Sequence, residues 1–255
     1  MESPRSAHPR TSRALVLMVK VPYPGTCKTR LSPPLSPREA ADLYRCFLVD
    51  LAREMPQWGV DADLIVAWAD DDRRGGEPSS SDDLPPALES LFGSAPCRAL
   101  RQEGPSLTAR MVRVFETLQH QGYETIVMRN SDSPHLPEAV VSEAFVALER
   151  APGSVVIGPD LDGGYYLVGM SGGPPNIFPP VMSTATVLEQ TVENVQSLGR
   201  ALHLLEPHLD VDTADDLVTF WLEFGGRADV RHWATWQALE GHDAWERFAE
   251  ETLTP

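Results

Sequence analysis

The chain contains two lysines, Lys20 and Lys28, and both lie in one segment, Val19-Lys20-Val21-Pro22-Tyr23-Pro24-Gly25-Thr26-Cys27-Lys28-Thr29-Arg30-Leu31. Elsewhere positive charge is carried by arginine. A lysine is a compact point charge on a flexible stem, suited to a phosphate oxygen. The segment follows an apolar run, Ala14 to Val19, that reads as a strand. A Pro24-Gly25 turn after a strand, with two ammonium groups and the Arg30 guanidinium, has the chemistry to hold a di- or triphosphate. The plain alternative is a solvated basic loop. A second locus is Asn130-Ser131-Asp132-Ser133-Pro134, where proline pushes Ser133 into an extended conformation. A carboxylate there, facing a polyphosphate, is a ligand for Mg²⁺ or Mn²⁺, because hard cations take oxygen ligands and share them with phosphates. Otherwise Asp132 simply shapes an Asx-turn. A third locus, Asp160-Leu161-Asp162-Gly163-Gly164, either lets a backbone approach a ligand closely or makes a tight turn into the strand at Tyr165.

The elements that must position these groups follow from spacing and caps. Ser36-Pro37-Arg38-Glu39 predicts a capped helix start, followed by Ala40, Leu43, Tyr44, Phe47, Leu48 and Leu51 at helical spacing. Strands are expected at 62–69, 97–102, 125–128, 154–158, 165–169 and 201–205. Helices are expected near 87–92, from Ser106 through His120 with Leu107, Met111, Val114, Phe115 and Leu118 on one face, over 137–150, and from a Ser183 cap to Leu198. Thr213, followed by Asp215 and Asp216, caps a further helix. Strands alternating with helices predict an α/β fold with a mostly parallel sheet covered on both faces. Ligands then sit beyond the carboxyl ends of the strands, where the three loci fall. Asp210-Val211-Asp212-Thr213 lies separately, between a strand and a helix N-terminus. The stretch from Asp70 to Pro86 reads as a surface insertion.

The chain has 255 residues and a formal charge of -16. So acidic a surface argues against general binding to nucleic acid or an anionic membrane, and no apolar run approaches a membrane span. Met1 to Ser12 reads as a flexible tail. The cysteines Cys27, Cys46 and Cys97 lack metal-ligand spacing, so reduced thiols in a cytoplasm are expected. Cys27 lies in the phosphate-loop candidate, but no histidine nearby in sequence suggests a base for a catalytic thiol. Trp221, Trp233, Trp236 and Trp245 concentrate toward the C-terminus. A helical appendage over 225–255, packing aromatics on the core or on a second copy of the chain, is the expectation.

In order and together, the segments resemble a family of small bacterial GT-A-type transferases. Its members are labelled radical-SAM/selenodomain-associated transferases or arsenosugar-biosynthesis glycosyltransferases. The matches are the lysine segment, Leu35-Ser36-Pro37, and Gln102, Leu107, Arg110 and Met111. Ser131 to Pro137, Gly158-Pro159-Asp160-Leu161-Asp162-Gly163-Gly164-Tyr165-Tyr166-Leu167-Val168-Gly169 and Asp210 to Leu217 complete them. The family usually has Gly at Asn130 and Gly-Glu at Thr108-Ala109. The wider superfamily is that of nucleotide-diphospho-sugar transferases, with sugar-nucleotide glycosyltransferases and nucleotidyltransferases. The lysine segment also resembles 2-phospholactate guanylyltransferase, and Asp-Val-Asp-Thr resembles CMP-Kdo synthetases.

The resemblance implies a three-layer GT-A-like domain over 13–224, a nucleotide or nucleotide-sugar substrate and a small-molecule acceptor. It makes Asp212 a second metal ligand beside Asp132. Lys28 and Arg30 would hold the donor diphosphate with Lys20 and the Pro24-Gly25 turn, and Arg110 would anchor a phosphate or pair with a carboxylate. Asp162 would position the acceptor or sugar, or deprotonate an acceptor hydroxyl, with Gly163, Gly164 and Tyr165 at the substrate. Glycosyl transfer is the first expectation. Nucleotidyl transfer with release of pyrophosphate and a catalytically silent nucleotide-binding or scaffold subunit are the alternatives.

Overall fold

The computed structural model describes residues 9–70, 83–182 and 184–253. Its strands are β1 (Arg13–Lys20), β2 (Asp63–Ala69), β3 (Cys97–Arg101), β4 (Thr125–Arg129), β5 (Val155–Pro159), β6 (Tyr165–Ser171) and β7 (Leu202–Leu204). Its helices are α1 (Pro37–Glu54), α2 (Pro86–Phe92), α3 (Leu107–His120), α4 (Glu138–Arg150), α5 (Val187–Ser197), α6 (Ala214–Phe224), α7 (Ala234–Leu239) and α8 (Asp243–Leu253). The strands form one sheet in the order β3-β2-β1-β4-β6-β5-β7. All neighbours pair parallel except β6, which runs antiparallel to β4 and β5.

The sequence of β1 shows why the sheet is covered on both faces. Leu15, Leu17 and Val19 enter the core shared with α1, α2, α4, α6, α7 and α8. Ala14 and Val16 enter the core shared with α3 and α5. Both alternating sets are apolar, as burial on two faces requires. The result is a three-layer α/β sandwich.

The caps form as their chemistry dictates. The Glu39 amide donates to Ser36 Oγ at 3.3 Å, and the Glu39 carboxylate accepts from the Ser36 amide at 2.7 Å. Ser106 accepts from the Ala109 amide, and Thr213 exchanges the same reciprocal bonds with Asp216. Two expectations change. Leu107 is 43% exposed and does not share the buried face of Met111, Val114, Phe115 and Leu118; as the first residue of α3 it lines the cleft described below. Helix α5 begins at Val187, after Thr186. The Leu188 amide donates to the Gly163 carbonyl, which fixes that start against the β5–β6 turn. The expected cap Ser183 lies outside the described residues, as do 71–82 of the surface insertion.

The expected tail is described from residue 9 onward, and that part is tied down. The Arg10 amide and guanidinium donate to Asp63 at 2.9 and 2.7 Å, and the Ser12 carbonyl accepts from Glu124 and Thr125. No helix among the described residues is long and apolar enough to cross a membrane.

The tryptophan-rich segment packs inward. Trp236 and Trp245 are buried, and Trp221 stacks on Trp236 with centroids 4.1 Å apart. Helix α7 lies along α1, where the buried Asp50 carboxylate accepts from the Ala234 and Thr235 amides at 2.7 and 2.9 Å. These donors open α7 and have no partner within their own helix. Asp50→Ala leaves them unpaired in a buried position. Urea unfolding of Asp50→Ala is expected to show a loss of about 1–3 kcal/mol, with Asp50→Asn losing less because it keeps an acceptor.

Candidate active site

The loops after β1, β4 and β5 meet the segment before α6 in one cleft of about 880 Å³. Of the residues singled out in the sequence, Lys20, Lys28, Arg30, Asp132, Asp162, Gly164, Tyr165 and Asp212 line it. Pro24, Gly25, Gly163 and Arg110 do not. Gly25, at φ +80°, shapes the loop turn, and Arg110 donates from Nε to the Gly104 carbonyl at 3.3 Å. Gly163 sits behind the cleft wall at φ +95°, where a Cβ would come within 2.2 Å of the Ala185 carbonyl oxygen. Both its backbone angle and its neighbour exclude a side chain.

An acidic cluster occupies one wall. Ligand oxygens of Asp132, Asp210 and Asp212 lie within 4.8 Å of one another. Asp132 follows β4, and the Val211 amide donates to its carbonyl at 3.0 Å, so the two loops are bonded together. Asn130 accepts from the Asp132 amide and donates to Asp210 at 3.0 Å, while Ser133 Oγ donates to Asp210 at 3.1 Å. Behind them, the buried Arg129 guanidinium donates to the carbonyls of Asn130 and Ser133. Asp212 does not cap α6. Thr213 and Asp216 do that, which leaves the Asp212 carboxylate turned toward the cluster.

Lys28 is buried, contrary to a lysine loop open to solvent. Its ammonium contacts Asp132 Oδ1 at 2.5 Å, Asp212 Oδ1 at 2.6 Å and the Val211 carbonyl at 2.6 Å. Its side chain is 3% exposed, whereas those of Asp132 and Asp212 are 31% and 39% exposed. Burial alone would lower the Lys28 pKa. The charges of Asp132, Asp212 and Asp210 more than reverse this, so the ammonium is held charged. Burial also pushes the Asp212 carboxyl up, but Lys28, Arg30 and Lys20 bring it below the usual range. Asp210 stays well above that range, through burial and then the Asp132 charge. Burial, and then neighbouring carboxylates, also hold Asp132 above the usual range, so one ammonium faces three crowded carboxyl groups whose ionised forms a further cation would favour.

The donor set fits a divalent ion such as Mg²⁺ or Mn²⁺. It consists of hard carboxylate oxygens on two loops that are bonded to each other and open to the cleft.

Other parts of the lining have different chemistry. Met18, Leu107, Tyr165, Met182 and Val187 belong to it with Asp160 and Asp162. Asp160 Oδ1 accepts from the amides of Asp162 and Gly164, at 3.1 and 2.7 Å, and so folds the β5–β6 turn. Burial, then the Asp162 side chain, raise the Asp160 pKa to about 6. Burial lifts the Cys27 thiol to about 11, and its Sγ donates to the Tyr23 carbonyl, which favours the protonated thiol over the nucleophilic thiolate.

Three site residues escaped the sequence reading. Asp210 stands two places before Asp212, and that spacing was its signal. Asp160 lay in a quoted motif where Asp162 was preferred. Tyr44 sits in the apolar stripe of α1, which disguises a hydroxyl that meets Ser131 Oγ at 2.8 Å and accepts from the Lys20 amide at 3.1 Å.

Comparison with known proteins agrees with this fold. A provisionally assigned nucleotide-diphospho-sugar transferase from Desulfovibrio desulfuricans G20 superposes with a TM-score of 0.80 at 28% identity, over 94% of this chain and 98% of that one. A cytidylyltransferase from Leptospira borgpetersenii shares the fold at 11% identity and a TM-score of 0.55, over 95% and 96% of the two chains. A 4-diphosphocytidyl-2C-methyl-D-erythritol synthase from Anaerococcus prevotii does so at 9% and 0.50, over 83% and 97%. The architecture is that of the nucleotide-diphospho-sugar transferases. Within it, residues 62–184 match DUF2064, a family described as an uncharacterized protein conserved in bacteria. No curated protein sequence matches the chain significantly.

Removing Lys28 removes the ammonium that the cluster contacts. Lys28→Ala is expected to destabilise the metal-free protein by about 2 kcal/mol or more, less than for a fully buried pair because the aspartates are partly exposed. Chemical denaturation in the presence of a chelator measures this.

Proposed function

We propose that the protein is a glycosyltransferase that moves a sugar from a nucleotide-diphosphate donor to a hydroxyl of a small-molecule acceptor. The observation that carries this reading is the joining, in one cleft, of the Asp132–Asp210–Asp212 cluster with the Asp160–Tyr165 turn. The similarity over 94% of the chain to the Desulfovibrio protein supports it.

Lys20 and Arg30 line the cleft and hold the donor diphosphate by charge. Asp132, Asp210 and Asp212 would hold Mg²⁺ or Mn²⁺, which, when bound, supplies charge neutralisation for the departing nucleoside diphosphate. Tyr44 and Asn130 keep the carboxylate loop in register. Asp160, rather than Asp162 alone, receives the acceptor's proton: its pKa of about 6 leaves it ionised yet basic near neutrality. The acceptor then lies against Leu107, Tyr165 and Met182. The free thiols accord with a cytoplasmic setting.

Incubation with a panel of sugar nucleotides and Mn²⁺ tests the reading through release of nucleoside diphosphate. Pyrophosphate release from a nucleoside triphosphate would select nucleotidyl transfer instead. An absence of metal-dependent nucleotide binding would leave a silent binding subunit.

Two substitutions sharpen the test. Asp132→Asn keeps the size and turn-forming ability of the side chain but removes its charge. It is expected to abolish Mn²⁺-enhanced nucleotide binding, read by calorimetric titration, while circular dichroism stays native. Asp160→Asn is expected to lower kcat by about 10²–10⁴-fold. Its carboxylate is the active form and exists above its pKa. The wild-type rate should therefore rise with pH through about 6, and the variant should lose that limb.

A further inference from the structure

We propose that Lys28 is a tethered cation that occupies the carboxylate cluster until a divalent ion displaces it, and that the displaced ammonium then serves the donor phosphates. The inference rests on the metal-binding role of Asp132, Asp210 and Asp212 in the reading above.

An ammonium has three protons to donate. Lys28 presents its nitrogen to three acceptors, Asp132 Oδ1, Asp212 Oδ1 and the Val211 carbonyl, all within 2.6 Å. Nothing of it remains for a phosphate in this arrangement. Two of the acceptors belong to the carboxylates best placed to ligate an ion. A divalent ion on those carboxylates and an ammonium in contact with them repel each other, so the two compete for the cluster.

The backbone tells the same story. Lys28 sits at φ 49° and ψ 36°, and among the described residues it is the one non-glycine residue with positive φ. Side chains with a Cβ pay for that conformation, and it persists where the surroundings over-determine it. The same loop has a glycine at Gly25, which takes its own positive φ without strain. The contacts of the Lys28 side chain with the cluster are surroundings of that over-determining kind.

Displacement has a natural destination. Arg30 and Lys20 line the same cleft, and Arg30 already approaches Asp212 at 3.9 Å. An ammonium leaving the cluster joins these two cations where an anionic donor would lie. The order of events follows: ion first, then nucleotide on the completed cationic wall. In the metal-free protein the cluster stays folded and neutralised in part, without an ion.

Lysine-directed acetylation reads the exchange directly, because Lys20 and Lys28 are the chain's two lysines. In chelator-treated wild-type protein, mass spectrometry should find exposed Lys20 acetylated and Lys28 at least tenfold slower. Saturating Mg²⁺ alone should raise the Lys28 rate at least tenfold. A parallel Mn²⁺ titration establishes ion binding, and Lys28→Met, checked by circular dichroism, should bind Mn²⁺ at least tenfold more tightly than wild type. Binding by wild type with Lys28 still protected, or with affinity unchanged or weakened in Lys28→Met, overturns the exchange and leaves the metal site standing. No Mn²⁺ binding by either protein overturns the metal reading and the exchange together. The acetylation arm uses wild-type protein, so its result does not depend on how well the variant folds.

Discussion

Three carboxylates at the end of one sheet repel each other, and the rest of the active-site edge is arranged around that repulsion. Unit charges 4 Å apart interact by about 4 kcal/mol at the effective dielectric near a protein surface. Such a cluster persists only with its loops pinned and its charge answered. The pins are the Val211–Asp132 backbone bond, the Asn130 and Ser133 contacts to Asp210, and Arg129 beneath the loop carbonyls. The answer in charge is Lys28, carried in from the loop after β1. The first, fourth and last strands of the sequence thus meet through one ammonium, which makes the cleft a property of the whole sheet rather than of any one motif.

Local rules explain most of the frame. The capping boxes at Ser36 and Thr213 are short-range devices whose partners lie three residues away, so they could be read directly. The apolar stripe of α1 and the two-sided burial of β1 were legible for the same reason. What failed depended on distant neighbours. Leu107 matches the period of α3, but it opens onto the cleft instead of the core. The start of α5 is fixed by Gly163, more than twenty residues upstream.

The site was legible in its parts and not in its wiring. Chemistry at Lys28, Asp132 and Asp212 could be suspected from residue type, because charged groups at strand ends in an α/β sheet face a ligand cleft. That the lysine points at the aspartates, and not at solvent, is a tertiary fact carried by a contact across more than one hundred residues. Asp210 and Tyr44 show the complementary blindness. Each sits beside a stronger signal, one next to Asp212 and the other inside an apolar helix face, and only the folded chain reveals what their oxygens touch.

The one reversed strand has an architectural consequence. A parallel strand must be entered through a long crossover, so altering that connection disturbs a helix and its packing. β6 is instead entered through a hairpin turn, Asp160 to Gly164, closed by the pair Pro159 and Tyr165 with a register shift between Gly158 and Pro159. Asp160 and Gly163 are fixed within this turn by backbone bonds and close approach, but Leu161 between them is 65% exposed. The reversed strand thus gives the cleft one border where a side chain can change without moving a crossover helix, while the charged cluster is held by three strands.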